Sequence, residues 1–452
     1  MATRLVFGIV ISGLGLLVVA RLIGPEAYGT YGTAFAIWFT LQNLTELNLD
    51  VWLVRRGTSD DDMGAARVAL TAILGLSSLG ALALYLAAPA IADLANIPDL
   101  EGTLRYLAPL LLITGIGQPA LSLLERRLDF KSVGLIEMLC QGLFYVVAVI
   151  LATMSFGLTS LIVALAVQQS ALTLIFVLKV PNAAMPLWDK KIAKEAFRFG
   201  FAATLSSVVE NGRSLVLQVL VARYGGASAA GYYSLCIRLL EQASFAKQVL
   251  YRLSTAVFGR LRDDTGRLAR SLDKAVVAQL LALAPPLLLL AWVGPHLLPL
   301  LFGAEWTPVA ELLPVLIPTY LVLSLSRLHQ SALLALDKTL PVFWMTLGYL
   351  VVLAIGAAPS IVSFGTYGVA VAEGFASIAL AAGVVLFWRI LPLPSLLITT
   401  LLLAAISLAA QASIFGPLIS LVVALPFISR RLRQVTGELV SGLRTGTKRL
   451  EG

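Results

Sequence analysis

Along its 452 residues the chain alternates between long apolar runs and short clusters of proline, glycine and charge. A hydrocarbon core about 30 Å thick needs roughly 20 apolar residues per helix, and the runs have that length. Placing loops at the clusters predicts fourteen spanning helices, over 5–20, 31–53, 68–88, 104–124, 133–154, 158–178, 199–221, 232–257, 276–293, 312–333, 341–358, 368–387, 395–410 and 414–428. No interval between them is long enough for a water-soluble domain. Arg4 before the first run imitates a secretory signal. Segment 21–29 reads as a tight turn into another span, so the run is read as a retained helix.

Composition supports an integral membrane protein. The chain is 59% hydrophobic and 13% charged, against about 25% charge in soluble domains. That excludes a soluble enzyme, a disordered regulator and a disulfide-stapled secreted domain. Cys140 and Cys236 lie in apolar runs and read as buried free thiols. Two histidines, His296 and His329, are too few for a zinc site built with them, so neither metal nor cofactor is expected.

The net charge of +8 resolves into topology. With a cytoplasmic N-terminus, 25 of the 33 basic residues fall on the cytoplasmic side, and Arg21, Arg105 and Arg223 on the other. This positive-inside bias puts both termini in the cytoplasm and needs no nucleic-acid partner. Segment 188–198, with Lys190, Lys191 and Lys194, reads as an amphipathic helix on the inner surface. Anionic lipid is the expected partner of the basic tail, 430–452. Trp306, in 303–308 at the opposite boundary, reads as an interfacial anchor.

Five basic residues remain within spans: Arg213, Arg238, Lys247, Arg252 and Arg327. Each costs about 2.5–3.5 kcal/mol at the bilayer centre, so such groups usually face a bundle interior or a watery cavity. Glu46, Asp50, Glu137, Glu210, Glu241 and Glu373 accompany them. On a continuous helix, Arg238, Glu241 and Arg252 fall within about 60° of one another, with Lys247 opposite. Asn43, Glu46 and Asp50 likewise share about 60°, with Gln42 beside them. The two stripes predict a hydrated cavity with a cationic lining. The plainer reading pairs the charges as salt bridges, since Glu210 and Arg213, like Arg238 and Glu241, stand three apart.

Segment 20–34, ARLIGPEAYGTYGTA, is echoed by 222–236, ARYGGASAAGYYSLC, with six of fifteen positions identical at an offset of 202. Each follows the first span of a six-helix unit. Repeats of equal orientation are related by an axis along the membrane normal.

With ERRLDFK at 125–131 and LFGAEWTPVAELLPVL at 301–316, these motifs resemble the polysaccharide and O-antigen flippases. That family shares a superfamily with the multidrug and toxic compound extruders and the lipid II flippase. The resemblance runs through about residue 390, and the first span is short against the family's pattern.

It implies an all-α protein of about 14 transmembrane helices. An N-terminal lobe of six (1–180), a cytoplasmic linker (181–198) and a C-terminal lobe of six (199–390) surround a central cavity, followed by two extra helices (391–429) and the tail. It also implies a transporter, not an enzyme, that moves undecaprenyl-diphosphate-linked oligosaccharide to the outer leaflet. Arginine grips phosphate with a bidentate fork, so Arg213, Arg238, Arg252 and Arg327, with Lys247, are the expected headgroup contacts. Gln42, Asn43, Asn211 and Gln218 are the expected sugar contacts.

Glu46, Asp50, Glu210 and Glu241 couple to an ion or neutralise the arginines. The chain has no GxxxxGK[ST] phosphate loop. A polysaccharide polymerase and export machinery are the candidate protein partners. A multidrug antiporter shares the superfamily, but its cavity calls for acidic and aromatic residues. A membrane-embedded polymerase or glycosyltransferase calls for a large outer loop, and the longest intervals, 181–198 and 296–311, are too short.

Overall fold

The computed structural model describes residues 2–55, 62–244 and 246–386. All regular structure there is helical. The expected spans 395–410 and 414–428 and the tail lie outside the described residues.

The chain runs through α1 (Ala2–Glu46), α2 (Leu49–Arg55), α3 (Asp62–Ala95), α4 (Asp99–Leu107), α5 (Leu110–Arg126), α6 (Phe130–Thr153) and α7 (Leu158–Lys179). After a 3-10 turn at Pro181–Ala184 come α8 (Lys190–Ala243), α9 (Ala246–Arg260) and α10 (Thr265–Phe302). A second 3-10 turn, Ala304–Trp306, leads to α11 (Thr307–Ala335), α12 (Thr339–Phe364) and α13 (Tyr367–Leu386). Among the described residues seven stretches are by themselves long and apolar enough to cross a bilayer: α3, α4 with α5, α6, α7, α10, the second 3-10 turn with α11, and α12. They do not establish a count of fourteen spans.

Three expected spans are not single helices. Span 31–53 breaks after Glu46, where Leu47 (φ 51°) and Asn48 (φ 48°) are left-handed. Asparagine tolerates that region, and Leu47 enters it because it and Leu49 turn into the core. Span 104–124 breaks at Pro109, which has no N–H to continue α4 and starts α5 instead. Span 232–257 breaks after Ala243, with Ser244 buried in the bend. Segment 188–198 and span 199–221 belong to one helix, α8, from Lys190 onward. Asp189 caps it, accepting from the backbone N–H groups of Lys191 and Ile192, and these bonds hold its carboxyl below the usual carboxylate range.

Both long bent helices turn at a glycine, Gly24 (φ 75°, ψ 170°) in α1 and Gly226 (φ 82°, ψ 177°) in α8. That conformation is essentially closed to residues with a Cβ. The two glycines are repeat equivalents, 202 apart. Pro25 follows the first and Ala227 the second, so the bend belongs to the repeat and not to the proline.

The helices form two compact units. The first comprises Met1–Leu235 with Pro299–Trp306. The end of it that carries Arg67 and Arg126 holds a core of small and large apolar side chains, including Leu49, Trp52, Ala65, Ala69, Ile73, Leu123, Ile136 and Phe176. Around that core the linker is strapped down. Arg67 Nε donates to Met185 O at 3.0 Å, Thr71 Oγ1 donates to Leu187 O at 2.8 Å and accepts from Leu187 N, and Trp52 Nε1 donates to Glu195 Oε1. Asn48 at the α1–α2 break bonds Thr204 Oγ1.

The second unit comprises Cys236–Leu298 with Thr307–Gly452. In it α11 is buried along nearly its whole length. Gln279 of α10 bonds Ser324 O, and Tyr367 of α13 bonds Glu311. Cys140 and Cys236 are buried free thiols, as their apolar settings predict.

Gly24→Ala and Gly226→Ala each force a Cβ into a strained region and cost about 1–3 kcal/mol, read as a lower Tm of the detergent-solubilised protein. Gly75→Ala, whose Cβ meets nothing within 4 Å, holds or raises Tm. Equal Tm values for the three contradict the reading.

Candidate functional site

In the first unit the two repeat motifs pack directly on each other. A Cβ on Gly29 would lie 1.8 Å from Ala227 O, and a Cβ on Gly231 would lie 2.0 Å from Pro25 O. Only glycine permits either approach. One turn deeper, a Cβ on Gly32 would lie 2.4 Å from Ser234 Oγ.

Beside them Gln218, buried, donates to Thr33 Oγ1 at 3.2 Å and to Ala230 O at 3.3 Å, and accepts from Ser234 Oγ at 3.2 Å. Its amide is thus engaged in a closed knot and does not face a sugar. Thr33 and Ser234 complete that knot. No charge or motif pattern singles out either residue, although the repeat places both beside the glycines.

Trp306 also differs from expectation. It is 1% exposed, its Nε1 donates to Ala20 O at 3.2 Å, and its ring meets Tyr28, Tyr232 and Phe302 edge-on with centroids 5.7, 6.1 and 6.4 Å away. It is a buried plug for the apolar space between the motifs, not an interfacial anchor.

The two predicted polar stripes are interrupted by the helix breaks. Asn43 and Glu46 stand on α1, whereas Asp50, half-buried, stands on α2. Gln42 Nε2 donates to Glu46 Oε1 at 2.8 Å within α1, and Asn43 Nδ2 donates to Phe39 O at 2.7 Å. Arg238 and Glu241, both exposed, stand on α8, while Lys247 and Arg252 stand on α9 beyond the bend. The angular relation from Arg238 to Arg252 therefore does not hold. Glu210, Asn211 and Arg252 have side chains outside the described set.

Lys247 Nζ donates to Tyr320 Oη at 2.7 Å and lies 4.4 Å from that ring's centroid. This ties α9 to α11. Nothing in the sequence pattern singled out Tyr320 as its partner. Arg213 is half-buried on α8.

Arg327 has a distinctive setting. From Leu312 to Leu333 every residue of α11 is buried or half-buried except Arg327, which is exposed. Its neighbours Ser326, Leu328 and His329 are each 0% exposed. Arg327 also lies seven residues from Tyr320, on the same face of α11 and about 10 Å further along.

The fold is similar to those of solved transporters. It matches a lipid II flippase, MurJ, in its inward closed conformation, with a TM-score of 0.70 and 15% identity over 96% of this chain and 99% of that one. It also matches a multidrug resistance MATE family transporter in its inward-facing conformation, with a TM-score of 0.66 and 14% identity over 89% of this chain and 95% of that one.

Within that fold class, residues 18–311 match the polysaccharide biosynthesis protein family, and the chain belongs to it. Over 311 residues it is 29% identical to the succinoglycan biosynthesis transport protein ExoT of Rhizobium meliloti, covering 66% of this chain and 60% of that protein. Over 337 residues it is 24% identical to the lipopolysaccharide biosynthesis protein WzxC of Escherichia coli, covering 72% of this chain and 67% of that protein. The resemblance drawn from the motifs is thereby borne out.

Gln218→Leu leaves the hydroxyls of Thr33 and Ser234 without their amide partner and costs about 1–3 kcal/mol. Thermal unfolding reads the loss, and an unchanged Tm contradicts the knot.

Proposed function

We propose that this protein moves a lipid-linked oligosaccharide, carried on undecaprenyl diphosphate, across the cytoplasmic membrane by alternating access. The observation that carries the reading is Arg327, exposed on a helix whose neighbouring residues are covered, in a chain of the polysaccharide biosynthesis protein family. A diphosphate headgroup with sugars is too polar for hydrocarbon, and a guanidinium offers it a charge-assisted fork.

Arg327, Arg213, Arg238, Lys247 and Arg252 are assigned to the headgroup, and Asn43 and Asn211 to the sugars. The lipid tail stays in the bilayer. Six-helix lobes at 1–180 and 199–390 rock about the site, with both termini cytoplasmic as the basic-residue bias requires. A polymerase and export machinery receive the product.

Glu46 is buried, 8% exposed, with its Oε1 held by Gln42. Glu46, Asp50, Glu210 and Glu241 are the residues to test for ion coupling or charge neutralisation. The fold is shared with multidrug transporters, but cations inside the helices oppose a cavity for cationic drugs. Unaltered drug susceptibility in a deletion strain supports the glycan reading.

Each arginine–phosphate contact is worth about 1.5–3 kcal/mol, roughly ten- to a hundred-fold. Arg327→Ala and Arg213→Ala therefore lower surface polysaccharide by at least about ten-fold at normal membrane levels of the protein, with partial recovery in the lysine variants. Wild-type glycan from both alanine variants overturns the headgroup assignment.

A further inference from the structure

Arg21 and Arg223 are repeat equivalents, 202 apart, each just before the glycine bend of its helix. Arg21 Nη1 donates to Leu301 O at 3.1 Å and reaches Leu300 O at 3.5 Å. Arg223 Nη1 donates to Leu94 O at 2.7 Å. Leu94 and Leu301 occupy the same place in their own helices. Each is the residue before the last, in α3 ending at Ala95 and in α10 ending at Phe302. Each helix is followed by a left-handed residue, Asn96 (φ 56°) and Gly303 (φ 107°). The last carbonyls of a helix lack internal partners and carry the negative end of its dipole.

The first helix of each repeat thus delivers a cation to the third helix of the other. The backbone contacts obey the same exchange: Gly29 meets Ala227, and Gly231 meets Pro25, the equivalent of Ala227. Reciprocal contacts of this kind, i on j and j on i, are the mark of a two-fold interface. The two arginines flank the glycine contact and the Trp306 plug at the end where α1 and α8 bend.

We propose that Arg21 and Arg223 form a matched pair of latches that holds this end of the transport pathway shut. They act through helix-end carbonyls, and their release opens the Gly29–Gly231 contact. Both side chains are exposed, so each bond is weak enough to break in every cycle: about three-fold in the closed-to-open ratio singly and about ten-fold together. The latch explains why the side expected to be poor in basic residues retains these two arginines. It rests on the alternating-access part of the proposed function and on no particular substrate.

The test reads the gate directly. In a Cys140→Ala, Cys236→Ala background, Ser234→Cys places a thiol one turn beyond Gly231, and a membrane-impermeant maleimide is applied from the bend side. With both arginines present labelling is slow. Arg21→Ala and Arg223→Ala each raise the rate about three-fold, and the pair about ten-fold. The double lysine variant restores much of the protection, because it keeps the charges. Gly29→Ala, whose Cβ collides with Ala227 O, sets the rate of the open gate.

A rate for the alanine pair within two-fold of the starting protein overturns the latch, and so does an effect carried wholly by one arginine. If the alanine pair fails to reach the membrane, the glutamine pair keeps a donor without the charge, and an unchanged rate there overturns it equally. Labelling needs no substrate, so a wrong glycan assignment leaves this result standing, and a failed latch leaves the polysaccharide assay intact.

Discussion

A backbone carbonyl left open inside a membrane has no water to turn to, and each unsatisfied group there costs several kcal/mol. This chain breaks or bends its helices repeatedly, so it must supply donors at each place. It uses side chains that reach from elsewhere. Arg126 Nη1 closes Leu53 O near the end of α2 and Trp306 Nε1 closes Ala20 O above the bend of α1. Threonines fold back onto their own helices, as Thr33 does on Gly29 O and Thr114 on Leu110 O. Much of the scarce polar chemistry is thereby committed to the backbone before any of it meets a substrate.

That commitment gives the internal repeat its physical meaning. Gly24 and Gly226 adopt nearly the same dihedral angles, and the bend directs each helix so that Gly29 and Gly231 can meet. Their approach leaves no room for side chains and places Thr33, Gln218 and Ser234 within hydrogen-bonding distance. The first packing unit therefore takes in residues 199–235, beyond the first repeat. The repeat offset grows from 202 at the glycines to 207 between Leu94 and Leu301. The third helices still end in the same way, because the left-handed residue after each one, not its length, sets where the open carbonyls fall.

Much of this fold was legible in the sequence. Hydrophobic run lengths placed α6, α7 and α13 within a few residues, since apolar length is what a bilayer demands, whereas α3 and α10 run well beyond their expected spans. The repeat was visible because glycines that avoid a Cβ clash cannot vary. The polar stripes were misread because both relied on unbroken helices. Neither the Leu47–Asn48 break nor the bend at Ser244 carries a proline or glycine. Leu47 is held left-handed by tertiary packing, beside the close approach of Gly200 to its carbonyl, and no local propensity signals that. Trp306 was misassigned for a related reason. A tryptophan beside a loop suits an interface equally well by sequence, and only the three rings around it identify a buried plug.

The cations within the helices are not equivalent. Lys247 gives a hydrogen bond to Tyr320 and rests against its ring, and an ammonium used in this way is a fixed point charge with fewer donors left to offer. Its effect is to hold α9 against α11, two turns from Arg327. Arg327 is exposed while the residues around it on α11 are covered, and its planar guanidinium has the fork geometry that suits phosphate. The bond from Lys247 thus braces the helix that carries Arg327. Removing Tyr320 Oη takes away that brace, whereas removing Arg327 leaves it in place and takes away the headgroup contact proposed for it.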